Sequence, residues 1–500
     1  MKTMKKLASL LLALAMIFGL ATTAFGTEVT INSSNNTNAT YKAYKLMNAT
    51  ATLLCTTEHN HSDKDCYGFL YTLNDTYKTV LMEVANVTEA AAGKTIDQTV
   101  VDVFATMDGK DLAQKIYDKV KNMNADETLS AGTTATLAEA YWLIVDSSTL
   151  ANEEVRSQVM IDTAGKEVLT ITAKDSKVTI DKKVNGKDTY VTADIDEEVT
   201  FTLTSNLPTY LDNYTTYTFK FIDTMESTLD FVELKSVVVD DTTLVNTQYT
   251  LGGFFADPTK TNGEGTIDLS DYVTANKAAL SGATVTVTYT AKLNSTATVA
   301  EPENNKVKVE YTNDYTTSGE GETAEDDVDV YTYKINIVKY TDNNGTDDYQ
   351  ETDTRLSGAE FQLSKVVDDV TYYATASGDA SPYTLTGWTA TVGEAKTFVT
   401  NANGEIEING LNVGAYSLTE TKAPAGYNLL TAPVAVEVKD TAAENAEVPT
   451  LASETAYVEN NAGTELPSTG GMGTTLFYVV GGILVAAAAV LLVTKKRMAN

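Results

Sequence analysis

The sequence predicts a mainly β protein built from tandem β-sandwiches, and three observations carry that expectation. The first is composition: the 500 residues include 27 tyrosines but only 8 prolines, with long threonine- and valine-rich runs. Such residues suit a pleated, half-buried surface. The second is period-two patterning, in KVTIDKKV (177–184), EEVTFTLTS (197–205), ATVTVTYTAKL (283–293), NKVKVEY (305–311) and YKINIVKY (333–340). Alternation of this kind places one face of a strand in a core and the other in water. The third is length. With both ends set aside roughly 440 residues remain, room for about three domains of ~100–200 residues each.

The ends read as export and retention signals. Met1 to Lys6 is basic, Leu7 to Leu20 is apolar, and small residues follow at Ala21, Ala24 and Gly26. This is the pattern of a secretory signal peptide over residues 1–26, cut after Ala24 or Gly26. Near the other end, Leu476 to Val493 carries no charge over 18 residues, at the short limit for a bilayer-spanning helix. Lys495, Lys496 and Arg497 follow and would hold that end on the cytoplasmic side. The body of the chain is therefore expected outside the cell. Acidic residues outnumber basic ones 68 to 36, for a formal net charge of −32. That balance argues against a nucleic-acid partner and favours solubility.

Three segments lie between the ends. Residues 27–173 hold the helical stretch VVDVFATMDGKDLAQKIYDKVKNM (100–123), where Leu112, Ile116, Tyr117 and Val120 recur three to four apart. The strand-like YWLIVDS (141–147) and EVLTITAK (167–174) close this segment, an N-terminal β domain with a helical insertion. Residues 174–331 read as strand and turn, ending in the acidic, glycine-containing TTSGEGETAEDD (316–327), expected to be a loop or hinge. Residues 332–461 form another all-β segment, and 462–500 carry the linker, apolar stretch and basic tail. The second and third segments share a plan, with a lysine in the first strand and an asparagine near the last.

The chain's last stretch of chemistry is Leu466-Pro467-Ser468-Thr469-Gly470, just before the apolar span. It resembles the LPxTG cell-wall sorting signal of Gram-positive surface proteins. The resemblance implies that a sortase cysteine cleaves between Thr469 and Gly470 and holds Thr469 as a thioester for an amine to attack. The span would then be a temporary membrane hold before covalent attachment to peptidoglycan.

Residues 416–427, YSLTETKAPAGY, match the E-box YxLxETxAPxGY of pilin and collagen-adhesin B-type domains, and LSGAEFQL (356–363) resembles an early strand of such domains. The resemblance implies an immunoglobulin-like β-sandwich with an intramolecular isopeptide bond. Lys339 is then the amine, Asn460 the carboxamide and Glu420 the catalytic acid; Asn461 is a neighbouring choice that alternation turns to the opposite face. In the middle segment VTIDKKV (178–184), TFKFIDTM (218–225) and NKVKVEYTN (305–313) resemble a collagen-adhesin A-like domain. The corresponding bond joins Lys182 to Asn305 with Asp223 as acid, and Lys183, Asn304 and Asn313 are adjacent alternatives. The chemistry asks for these residue types: burial disfavours the charge on a lysine and on a carboxylate, giving a neutral nucleophile beside a proton-donating acid.

In backbone pilins a lysine in a YPK-type motif near the end of the first domain attacks the sortase-bound threonine of the next subunit. VLTITAKDS (168–176) puts Lys174 at that place, with Thr172-Ala173 instead of Tyr-Pro, and Lys177 is the runner-up. Both cysteines and both histidines fall in LLCTTEHNHSDKDCYGF (53–69). Outside the cell Cys55 and Cys66 read first as a disulfide, with a zinc site of Cys55, His59, His61 and Cys66 as the alternative. No cofactor is expected.

The resulting expectation is a structural backbone subunit of a surface pilus, not an enzyme: G-x-S-x-G and H-E-x-x-H are both missing from the sequence. Its partners would be pilus-assembly and housekeeping sortases, further copies of itself, peptidoglycan, minor pilins and host surface ligands. The alternative is a non-polymerised wall-anchored adhesin or minor pilin that binds a host ligand through residues 27–173.

Overall fold

The computed structural model describes residues 26–33, 37–53, 67–148, 158–173, 177–209, 211, 214–314, 319–346, 348–443, 446–452 and 455–462. The leader, Lys174, the Cys55, His59, His61 and Cys66 segment, and Leu466, Pro467, Thr469 and Gly470 with the apolar span lie outside these residues. Among the described residues no helix is long and apolar enough to cross a membrane. The chain is mainly β and divides into two compact units.

The first unit runs to Val191 and includes Glu198–Thr296 and Pro302–Val330. In its early part, Thr27–Asn32 pairs in parallel with Val168–Thr172 and antiparallel with Thr134–Leu137. A second sheet orders Tyr67–Leu73, Thr40–Leu53, Ala140–Asp146 and Gln158–Asp162. The helical insertion follows Tyr67–Leu73 and packs Leu81, Phe104, Leu112, Ile116 and Val120 against Tyr44 and Leu143. It differs from the single helix expected over 100–123. One helix spans Ile96–Thr106, opened by a Thr95–Gln98 capping box, and another spans Gly109–Val120. Met107 is extended between them, and Asp108 Oδ1 accepts the Asp111 amide at 3.3 Å. An Asp-Gly pair competes with helical hydrogen bonding and favours a fresh start. The helix Lys78–Ala85 was not anticipated; eight residues are too few to establish a period.

The remainder of the first unit is a sandwich. One sheet contains Thr242–Thr243, Leu229–Val239, Thr284–Leu293, Glu198–Asn206 and Ile180–Val184; the other centres on Asp326–Tyr331, Glu303–Asp314, Phe219–Met225 and Gly263–Asp268. Burial alternates along the strands, so Val199, Phe201 and Leu203 point inward from one while Val307, Val309 and Tyr311 do so from another. The expected loop at 316–327 is a correction. Gly319–Glu322 forms a strand against Glu303–Asp314, and Asp326 already begins the next. Lys308 and Lys306 hold Glu322 and Glu325 at 2.9 and 3.0 Å, pairing two carboxylates of the acidic run with lysines of the neighbouring strand. Gly321 permits the pairing, because a Cβ there would meet Asn313 Nδ2 at 2.7 Å.

The second unit takes Thr192–Glu197, Ala297–Glu301 and the chain from Tyr331. Its sheet runs through Tyr333–Thr341, Glu405–Leu411, Tyr383–Thr389, Val370–Ser377, Glu360–Val367, Gly414–Lys422 and Val434–Asp440. The core gathers Ile335, Ile337, Phe361, Leu363, Ile408 and Leu418, and also Ile195 from the earlier segment. That segment is fastened by the buried Asp194. Its carboxylate accepts from the Asn412 amide at 2.7 Å and Trp388 Nε1 at 2.9 Å and pairs with Lys365.

Candidate functional site

The middle cluster is assembled across the sandwich. Lys182 stands on Ile180–Val184 in one sheet, while Asp223 and Asn305 stand on neighbouring strands of the other. Their register, Met225 opposite Asn305 and Asp223 opposite Val307, puts both side chains on one face, two residues apart. All three are buried. Lys182 Nζ lies 2.5 Å from Asp223 Oδ2 and donates to Asn305 Oδ1 at 2.9 Å. The sequence reading missed a fourth member. Tyr289 donates to Asp223 Oδ2 at 3.0 Å, accepts from Asn305 Nδ2 at 2.7 Å and lies 3.3 Å from Lys182 Nζ. The signal was a lone tyrosine on the inward face of ATVTVTYTAKL, otherwise lined by Val285, Val287, Ala291 and Leu293.

The C-terminal cluster is built differently. Lys339 lies on Tyr333–Thr341, which pairs in parallel with Thr455–Glu459, with Lys339 opposite Val458. Asn460 follows at once and donates its amide to the Tyr340 carbonyl at 2.9 Å. Lys339 Nζ donates to the Val458 carbonyl at 2.8 Å and sits 3.9 Å from Glu420 Oε1. Asn460 Nδ2 donates to Glu420 Oε2 at 3.2 Å and to the Asn428 carbonyl at 2.7 Å. Glu420 reaches inward from Gly414–Lys422 and also accepts the Leu430 amide at 2.9 Å. Val458 and Asn428 contribute through backbone carbonyls, which no side-chain pattern announces.

Desolvation dominates both clusters. Burial pulls the Lys182 amine below its ordinary range, against the opposing pull of Asp223. Burial likewise pushes the Asp223 carboxyl up, against the Lys182 contact. The Lys339 amine is lowered to about 8, chiefly by burial and in spite of Glu420 and Glu459. Taking a charge from water into an apolar interior favours the neutral form of either group. Asp223 Oδ1, Glu420 Oε1 and Asn460 Oδ1 are buried without a hydrogen-bond partner, an unusual concentration of unsatisfied oxygens. In the middle cluster the amine touches both the acid and the amide oxygen, and burial disfavours the charged forms of amine and acid, the arrangement that acyl transfer to nitrogen asks for.

The neighbouring alternatives point elsewhere. Lys183 pairs with Asp188 at 2.7 Å, and Asn304 Nδ2 bonds Asp327 and Asp329 at 2.8 and 2.9 Å. Asn313 packs against Gly321, and Asn461 is exposed. Lys177 is half-buried, its carbonyl accepting from Asn206 Nδ2 at 2.7 Å.

Comparison with known proteins agrees with this architecture. Residues 343–449 match the SpaA family, described as a prealbumin-like fold domain, and residues 458–500 match the LPXTG cell wall anchor motif. Over 159 residues the chain is 36% identical to the fimbrial subunit type 1 of Actinomyces viscosus; the match spans 28% of this chain and 28% of that relative's length. The full-length major pilin SpaD of Corynebacterium diphtheriae is similar in fold, with a TM-score of 0.52 at 17% identity, covering 89% of this chain and 100% of that one. The chain thus carries a SpaA-type prealbumin-like domain ahead of an LPXTG cell wall anchor motif, in a fold similar to that of a full-length major pilin.

Proposed function

We propose that this protein is the structural backbone subunit of a surface pilus, polymerised and wall-anchored by sortases and strengthened by two internal isopeptide bonds. The observation that carries the reading is the middle cluster, where a buried lysine, acid and asparagine from two sheets meet, with Nζ 2.9 Å from the amide oxygen. In each bond the neutral lysine amine attacks the asparagine Cγ. A new C–N bond forms, the Cγ–Nδ2 bond breaks, and Nδ2 leaves as ammonia. Asp223 or Glu420 accepts a proton from the attacking nitrogen and returns one to the leaving nitrogen, ending as it began. The groups need no diffusion once the strands have paired.

The reading divides the exported body into domains at 27–173, 174–331 and 332–461, between the 1–26 leader and the 462–500 anchor. Lys174 serves as the amine that takes the next subunit's Thr469, with Lys177 as the nearby substitute. The reading assigns its two welded joints to the second and third of these domains. An immunoblot of cell-wall extracts tests this reading. A high-mass ladder is expected, lost in Lys174→Ala and kept in Lys177→Ala. A single band from the wild type would leave an unpolymerised wall protein instead.

A further inference from the structure

Tyr289 occupies a place that the lysine, acid and asparagine scheme leaves unexplained. Its ring is buried, stacked on Phe201 with centroids 5.3 Å apart and set edge-on to Phe255 at 5.2 Å. Its hydroxyl stands between the acid and the leaving group, accepting from Asn305 Nδ2 at 2.7 Å and donating to Asp223 Oδ2 at 3.0 Å. The C-terminal cluster needs no such link, because Glu420 Oε2 meets Asn460 Nδ2 itself at 3.2 Å. Aspartate is one methylene shorter than glutamate, and the tyrosine hydroxyl fills the difference.

We infer that Tyr289 is a catalytic proton shuttle of the middle site, carrying a proton from Asp223 to the departing Nδ2 of Asn305. The inference rests on the isopeptide reading and deepens it. Lys182 Nζ attacks Cγ and gives a proton to Asp223 Oδ2. The Tyr289 hydroxyl, which faces Asp223 in the resting site, then turns toward Nδ2, takes a proton from Asp223 and releases its own to Nδ2 as the Cγ–Nδ2 bond breaks. The products are the Lys182–Asn305 amide and one ammonia; Asp223 and Tyr289 finish with the protons they started with. Burial and the adjacent Asp223 push the phenol well above its ordinary range, so a paired hop suits the site better than a free phenolate.

The test follows both crosslinks in the full chain by proteolysis and peptide mass at intervals after a short pulse of synthesis. Tyr289→Phe keeps the stacked ring and removes the hydroxyl. It is expected to slow the Lys182–Asn305 bond on the order of a hundredfold while the Lys339–Asn460 bond keeps its wild-type rate. Adding Asp223→Glu, whose longer carboxyl reaches Nδ2 directly, should recover at least about tenfold of that loss. A wild-type rate in Tyr289→Phe, or equal rates in the single and double variants, overturns the shuttle. If the wild-type chain itself never loses ammonia at Lys182 and Asn305, the isopeptide reading fails and the shuttle falls with it.

Discussion

The two buried clusters use the same residue classes in opposite frameworks. In the middle cluster the lysine comes from one sheet and the acid and asparagine from the facing sheet, so a bond there would pin the sandwich through its core. In the C-terminal cluster the lysine strand and the strand before Asn460 are parallel neighbours, so a bond would fasten adjacent strands of one sheet. The contacts differ accordingly. Lys182 already touches its amide oxygen, while Lys339 donates to the Val458 carbonyl and keeps its acid at 3.9 Å. The proposed bonds would therefore rest on burial and proximity rather than on one sheet topology.

The largest expected effect separates the clusters by what their lysines lose. Asp223→Ala removes the acid paired with Lys182 at 2.5 Å and should abolish the middle bond. If closing a loop of 123 residues acts like a disulfide, that loss alone is worth about 4–5 kcal/mol in urea unfolding. The Lys182 amine, left buried without its Asp223 contact, adds to it. Glu420→Ala should abolish only the C-terminal bond and destabilise less, because Lys339 retains the Val458 carbonyl at 2.8 Å. Equal losses in the two variants would break the distinction.

A pH series sharpens it further. In Asn460→Ala the bond cannot form, and Lys339 keeps a folded-state pKa near 8 against an ordinary value of 10.5. Between those values the unfolded chain binds more protons than the folded one, so stability rises with pH across that window. Compared with Asn460→Ala/Lys339→Met, the single variant should gain stability from pH 8 to 10.5 in denaturant melts. A flat difference would mean that Lys339 is not desolvated. The smallest effect belongs to Lys183→Ala and Asn304→Ala, whose side chains face their own acidic partners. Both bonds should form normally in each, as read by peptide mass.

Much of the strand layout was legible in the sequence because alternation is a local property, whereas the lysine, acid and asparagine positions came from the resemblance of their motifs. Alternation in KVTIDKKV puts Lys182 in step with Val178 and Val184 on the buried face and leaves Lys183 outside, and the same logic separates Asn305 from Asn304. Tyr289 was harder to see. Its role depends on the Leu203↔Lys182 and Phe201↔Tyr289 registers, which place two distant strands on either side of a third. The strand at Gly319–Glu322 was hidden for a similar reason: its residues favour a loop, and its pairing with Glu303–Asp314, including a Lys308–Glu322 contact, appears only in three dimensions. Likewise Asp194 reads as a turn residue until Lys365, Trp388 and Asn412 are seen to converge on it.

The most direct measurement is the intact mass of a recombinant chain spanning residues 27–465. Two internal bonds predict a mass short of the sequence value by two ammonias, with one restored by Asp223→Ala and the other by Glu420→Ala. A wild-type chain at full sequence mass would contradict the proposal that these buried lysines are acylated by Asn305 and Asn460.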